Sequence, residues 1–104
     1  MILQLNTDKN IQGTEALEQH VNDRAKAILK HLTDKITRLE VHLSDQNADK
    51  GGEDDILCKI EVRLQNVQPT LVTAKSESKE KAIDQALEKA KAALDKAIGK
   101  MNSH

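Results

Sequence analysis

Apolar positions along the chain follow two periods, one of two residues and one helical. Residues 2–7 (ILQLNT) alternate and predict a short strand. Gly13-Thr14 closes a loop, with Thr14 placed to cap a helix. From there Leu17, Val21, Ile28 and Leu32 recur at helical spacing, and Ala25 fills the same stripe. Residues 36–44 (ITRLEVHLS) return to alternation. Leu39, Val41 and Leu43 point one way and Arg38, Glu40 and His42 the other, the pattern of a strand with one buried face. Residues 45–55 (DQNADKGGEDD) are polar, acidic and glycine-containing, which predicts a loop. Ile56, Cys58, Ile60, Val62 and Leu64 then alternate with Leu57, Lys59, Glu61 and Arg63 in a second long strand. Asn66 to Pro69 is a turn, and residues 70–76 (TLVTAKS) form a further β-rich run. Ser76 or Ser78 caps the last helix. That helix runs to about Lys100 with Ile83, Ala86, Leu87, Ala90, Leu94, Ala97, Ile98 and Met101 on one face, and Gly99 is expected to fray its end.

The predicted order is β-α-β-β-β-α, an α+β chain with one four-stranded mixed sheet. The first two strands and their helix suit a crossover unit, and the last three strands suit an antiparallel meander. Each strand has one apolar face, so both helices are expected on the same side of the sheet. The other side is expected to be wet, with Arg38, Glu40, His42, Lys59, Glu61 and Arg63 on it. The outline is similar to that of double-stranded-RNA-binding modules. No internal repeat or second domain is visible, so residues 1–104 are expected to form a single domain.

Composition narrows the function classes. Hydrophobic residues make up 38% of the chain, and no stretch approaches the ~20 apolar residues of a membrane span. The opening MILQLNTDKN has neither a basic start nor an apolar core, so no secretory signal is expected. A single cysteine, Cys58, excludes an internal disulfide framework and suits a reducing cytoplasm. Phe, Tyr and Trp are absent, which excludes base-stacking platforms. Any RNA binding must therefore act on backbone phosphates through local basic patches.

The net charge of −1 hides a segregation of sign. Residues 45–55 carry five acids against Lys50, which leaves the rest of the chain at +3. At about 100° per residue, Lys89, Lys96 and Lys100 fall within roughly 40° of one another on one flank of the last helix. Asp84, Glu88 and Asp95 cluster on the opposite flank. Lys89 to Lys100 spans roughly 16 Å of helix, long enough to face successive phosphates. On the first helix His20, Arg24 and His31 share one edge of the apolar stripe, and Lys26 and Lys30 lie on the outer surface. Side-by-side helices would allow the Arg24 edge to adjoin the lysine row. On charge alone a solvated helix face is the more ordinary reading, since lysine and glutamate commonly serve solubility and i,i+4 pairing.

Three passages carry a family resemblance: residues 11–29 (IQGTEALEQHVNDRAKAIL), 34–46 (DKITRLEVHLSDQ) and 81–100 (KAIDQALEKAKAALDKAIGK), with the patterns T-x-A-L-x-x-x-V and A-I-D-x-A-x-x-K. In this order they resemble the ribosome hibernation-promoting factor family, also called ribosome-associated inhibitor or sigma-54 modulation proteins. The resemblance implies an α+β domain on the small ribosomal subunit, in the channel of messenger and transfer RNA, with basic helix residues against ribosomal RNA. It implies translation blocked by occupancy in stressed or stationary cells. The positions of this chain that match the family's basic ones are Arg24 and Lys30 on the first helix and Lys89, Lys96 and Lys100 on the last. Family members often carry further basic residues near Ala27 and Ala92 and an aromatic where Glu80 and Lys81 stand here. The chain is similar to the short form of the family, with no C-terminal ribosome-pairing domain expected.

No enzymatic chemistry is expected. Asp45, Asn47, Asp49 and Gly51 loosely echo a calcium loop, but Lys50 stands where glycine is needed and Ile56 where the bidentate glutamate is needed. Cys58 has the parity of a core residue, His42 points to the wet face, and His20 and His31 are too far apart for one metal ion. Gly51-Gly52 lacks the partners of a phosphate loop. No catalytic residue, metal, cofactor or small-molecule substrate is expected. Two alternatives stay open: a protein-interaction module that uses the mixed-charge sheet face or the acidic loop, and a general double-stranded RNA binder.

Overall fold

A computed structural model describes residues 1–45 and 56–102; the rest of the acidic segment, with most of its calcium-loop echo, and the Met101 side chain lie outside the described residues. The elements are β1 (Ile2–Thr7), α1 (Glu15–Ile28), β2 (Ile36–Asp45), β3 (Ile56–Leu64), β4 (Thr70–Ser76) and α2 (Lys79–Asn102). They form one four-stranded sheet in the order β1-β2-β3-β4. β1 pairs parallel to β2, from Ile2 opposite Arg38 to Thr7 opposite Leu43. β2–β3 and β3–β4 are antiparallel. The α+β architecture therefore has the mixed sheet that the alternation predicts.

The period of two decides which side is buried. Leu39, Val41 and Leu43 of β2 and Ile56, Cys58, Ile60, Val62 and Leu64 of β3 face the core. Both helices cover that face. α1 contributes Leu17, Val21, Ala25 and Ile28, and α2 contributes Ala82, Ile83, Ala86, Leu87, Ala90 and Leu94. The core is aliphatic and tight, and no polar or charged residue among those described is buried. Burial pushes the Cys58 thiol up to about 12.

Thr14 caps α1 as its sequence position predicts, with its hydroxyl accepting from the Leu17 N–H at 3.1 Å. Ser78, rather than Ser76, caps α2 by accepting from the Lys81 N–H at 3.2 Å. Two helix ends differ from expectation. α1 stops at Ile28, its last turn closed by Leu29 N–H to Ala25 O, and the chain continues in turns held by Leu32 N–H to Leu29 O and Lys35 N–H to Leu32 O. Leu32 remains buried because these turns keep it pointing inward, and they add Leu29 to the core. α2 continues through Gly99 to Asn102 instead of fraying there. One glycine costs about 1 kcal/mol, too little to end a helix held by the apolar stripe upstream.

Candidate nucleic-acid interface

The two flanks of α2 face different neighbours. Its acidic flank faces α1: Arg24 Nε donates to Asp84 Oδ1 at 2.9 Å, and His31 Nε2 lies 2.9 Å from Asp95 Oδ1. The edge of α1 that carries Arg24 therefore meets the carboxylates and not the lysine row, which corrects the side-by-side expectation. The cause is the strand order. α2 packs over β3 and β4, so the flank turned toward α1 is the one opposite the β4 edge. Small residues ease this approach, with Ala74 of β4 buried along with Ala82, Ala86 and Ala90 of α2.

The basic flank of α2 consequently lies along β4. Lys89 Nζ donates to the Thr73 carbonyl at 2.9 Å. An ammonium has three donors, so Lys89 is tethered with two left for an outside acceptor. Lys96 is exposed and has no polar partner among the described residues. Lys100 is exposed on the same flank. The helix thus holds three lysines in a row with Lys89 tethered at its head, and Asp84 and Asp95 of the same helix are turned toward α1.

The five predicted residues do not form one continuous patch. Arg24 sits on the helix–helix seam, about two-fifths exposed and neutralised by Asp84. Lys30 is not on the first helix as expected but in the turn beyond its end at Ile28, on a groove that it lines with Lys26, Glu15 and Glu18. The lysine row of α2 and the Lys26–Lys30 stretch at the end of α1 therefore flank an ion-paired seam. His20 of α1 has a buried Nε2 without a hydrogen-bond partner among the described residues. The Thr73 carbonyl was not visible to sequence reasoning, because a backbone acceptor leaves no trace in residue type.

The open side of the sheet is banded by charge. Arg38 stands opposite Arg63, Glu40 opposite Glu61, and His42 opposite Lys59. The ion pairs run along the strands, Arg38–Glu40 at 3.4 Å and Arg63–Glu61 at 3.3 Å. Gln4 of β1 also accepts from Arg38. Leu71 of β4 is 58% exposed on this face. Lys81 pairs with Glu77 at the start of α2 and holds its carboxyl below the usual carboxylate range. Among the described residues no cluster of three or more His, Cys, Asp or Glu could hold a metal, and no helix is long and apolar enough to cross a membrane.

No curated protein matches the chain. Among solved structures it is similar to a ribosomal subunit interface protein from Coxiella burnetii, with a TM-score of 0.80, 16% identity and coverage of 95% of this chain and 99% of that one. It is also similar to the N-terminal domain of Protein Y from Thermus thermophilus, with a TM-score of 0.75, 21% identity and coverage of 92% and 98%. At these identities the likeness speaks for the fold. The family model for sigma 54 modulation protein / S30EA ribosomal protein matches residues 6–102. That match spans both helices and all four strands but the first residues of β1, and with it the chain belongs to the sigma 54 modulation protein / S30EA ribosomal protein family.

Proposed function

We propose that residues 1–104 act as one ribosome-binding domain that associates with the small ribosomal subunit in the cytoplasm and silences translation by occupancy. The chain's family is one of ribosome-associated hibernation and modulation factors, and one structural relative is a ribosomal subunit interface protein. The folded domain would fill the channel of messenger and transfer RNA, with no covalent step. Lys89, Lys96 and Lys100 would supply phosphate contacts along one strip, and Arg24 of α1 and Lys30 of the turn after it would add further contacts.

The observation that carries this reading is the lysine flank of α2. Two carboxylates of the helix, Asp84 and Asp95, are directed away from it to Arg24 and His31. Without that division a chain of net charge −1 would offer RNA little attraction. The test is the triple variant Lys89→Glu, Lys96→Glu, Lys100→Glu in co-sedimentation with small subunits. Association is expected to collapse while the circular dichroism spectrum is kept. The dependence of binding on log salt should also become shallower, by roughly 0.7–0.9 for each phosphate no longer neutralised. Unchanged co-sedimentation would reject the flank as the binding surface. Competition by unrelated duplex RNA would instead favour a general duplex binder.

The banded sheet face supports a second reading, a protein-interaction surface. Like charges directly opposite on neighbouring strands are destabilising, and Arg38–Arg63 and Glu40–Glu61 are two such pairs beside an exposed Leu71. A protein partner that dissociates on charge reversal of this face, with ribosome binding intact, would select that reading.

A further inference from the structure

The two edges of the sheet are treated differently. At the β4 edge Lys89 of α2 reaches the Thr73 carbonyl, and Pro69 precedes the strand. β1, at the other edge, pairs only with β2 among the described residues. Its sequence ILQLNT has no charge and no proline, so it lacks the devices that usually protect an edge from pairing. Beside it runs an open groove of about 940 Å³ between β1 and α1. Leu3 and Leu5 form its floor, half-buried on the core side of the sheet.

The wall of this groove is polarised. Glu15, Glu18, Asn22 and Lys26 line it, spaced by three or four residues along one side of α1, and Lys30 follows in the turn beyond. Acids occupy the start of the stripe and bases its end, with Asp34 beyond the last turn. Because β1 and β2 are parallel, α1 returns antiparallel to β1.

We infer that the β1 edge is a two-fold interface with a second copy of this chain, in which β1 pairs antiparallel with its own counterpart to give a continuous eight-stranded sheet. A two-fold axis perpendicular to the sheet keeps both α1 helices on the same face and sets them antiparallel. The Glu15–Glu18 end of each helix then meets the Lys26–Lys30 end of the other. The stripe is complementary to itself under that operation and under no parallel pairing, since parallel helices would oppose like charges. The opposed helix dipoles add to the same preference. A six-residue strand and one helix stripe make less than a standard interface, so the association depends on concentration. The inference does not rest on the ribosomal reading, although pairing would cover Lys30.

Sedimentation velocity from micromolar to millimolar concentration tests it. The expected result is a monomer–dimer equilibrium. Glu18→Lys alone and Lys26→Glu alone are each expected to weaken it roughly tenfold, because symmetry makes each substitution act twice. The double variant with both changes is expected to restore it to within about threefold. Gln4→Glu keeps an acceptor for Arg38 and sets two carboxylates near the axis, and it is expected to weaken pairing by a similar factor. All these positions are on the surface, and circular dichroism verifies that each variant folds. A monomer throughout the range would overturn the inference, whether or not a strand of some other protein binds the edge. A dimer insensitive to the single changes, or one that the charge swap fails to restore, would also overturn it.

Discussion

Arg24 Nε donates to Asp84 Oδ1 at 2.9 Å, from the middle of α1 to the first turns of α2. This bond joins the carboxylate flank of α2 to α1, on the side of the helix away from Lys89. Both side chains are about two-fifths exposed, so the pair is expected to contribute no more than about 0.5 kcal/mol in a double-mutant cycle. Asp84→Asn should therefore leave stability nearly unchanged and tighten association with small subunits, because Arg24 loses its internal counter-charge. A titration by co-sedimentation measures this, and weaker association would remove Arg24 from the binding set.

Lys89 and Lys96 differ in anchoring, and the difference is measurable. Lys89→Met removes a charge and leaves the Thr73 carbonyl to water, at an expected cost of about 0.5–1 kcal/mol in urea unfolding. Lys96→Met touches nothing polar and should stay within about 0.5 kcal/mol of the parent. Both should weaken ribosome association. Equal unfolding midpoints for the two variants would show that the tether adds no stability.

Cys58 makes the fold sensitive to alkali. Its thiol is pushed up to about 12 by burial, whereas the unfolded chain ionises near the ordinary value of about 9. The contribution is thus fully present below pH ~9, where both states hold the proton. Between ~9 and ~12 only the folded state keeps it, so stability should fall by up to about 1.4 kcal/mol per pH unit. Denaturant midpoints measured across that range should show the slope, and Cys58→Ala should flatten it. Thiol reagents should modify the native protein only at the rate at which it opens.

Gly99 lies inside α2 with nothing within 4 Å of where a Cβ would sit. Gly99→Ala should stabilise the protein by about 0.5–1 kcal/mol, through helix propensity alone. Thermal unfolding would report the gain. A loss would mean that the carboxyl-terminal turns are not helical in solution.

Thr14→Ala removes the hydroxyl that caps α1 and should cost about 1 kcal/mol, with Thr14→Ser close to neutral. The same unfolding experiment measures it. Equal loss in both variants would place the effect elsewhere than the cap.

The strands were legible because their side chains alternate over nine or ten residues, as in Ile36–Asp45 and Ile56–Leu64, and such a pattern fixes both element and buried face. The end of α1 was not. Leu32 keeps helical spacing with Ile28, yet turns stabilised by local backbone bonds bring it to the core equally well. The lysine flank was legible from geometry within one helix. Its neighbour was not, since only the order of strands decides which flank looks at α1. The separation of Arg24 from Lys89 was therefore beyond reach of any periodicity. The family resemblance read from residues 11–29, 34–46 and 81–100 agrees with the matched region 6–102.

The parallel pairing of β1 has a consequence for how the chain assembles. Ile2 must find Arg38, across the whole of α1 and its flanking turns, whereas β3 and β4 are joined by residues 65–69 alone. Closing the shorter loop is the cheaper step, so folding should nucleate in the β3–β4 hairpin, with β2 and α2 condensing on it, and the amino-terminal strand should dock late. Substitutions at Leu3 or Leu5 would then accelerate unfolding and barely alter the refolding rate, while Ile60→Val would slow refolding. During synthesis the first strand would leave the ribosome before its hydrogen-bonding partner does, and would wait for it unpaired.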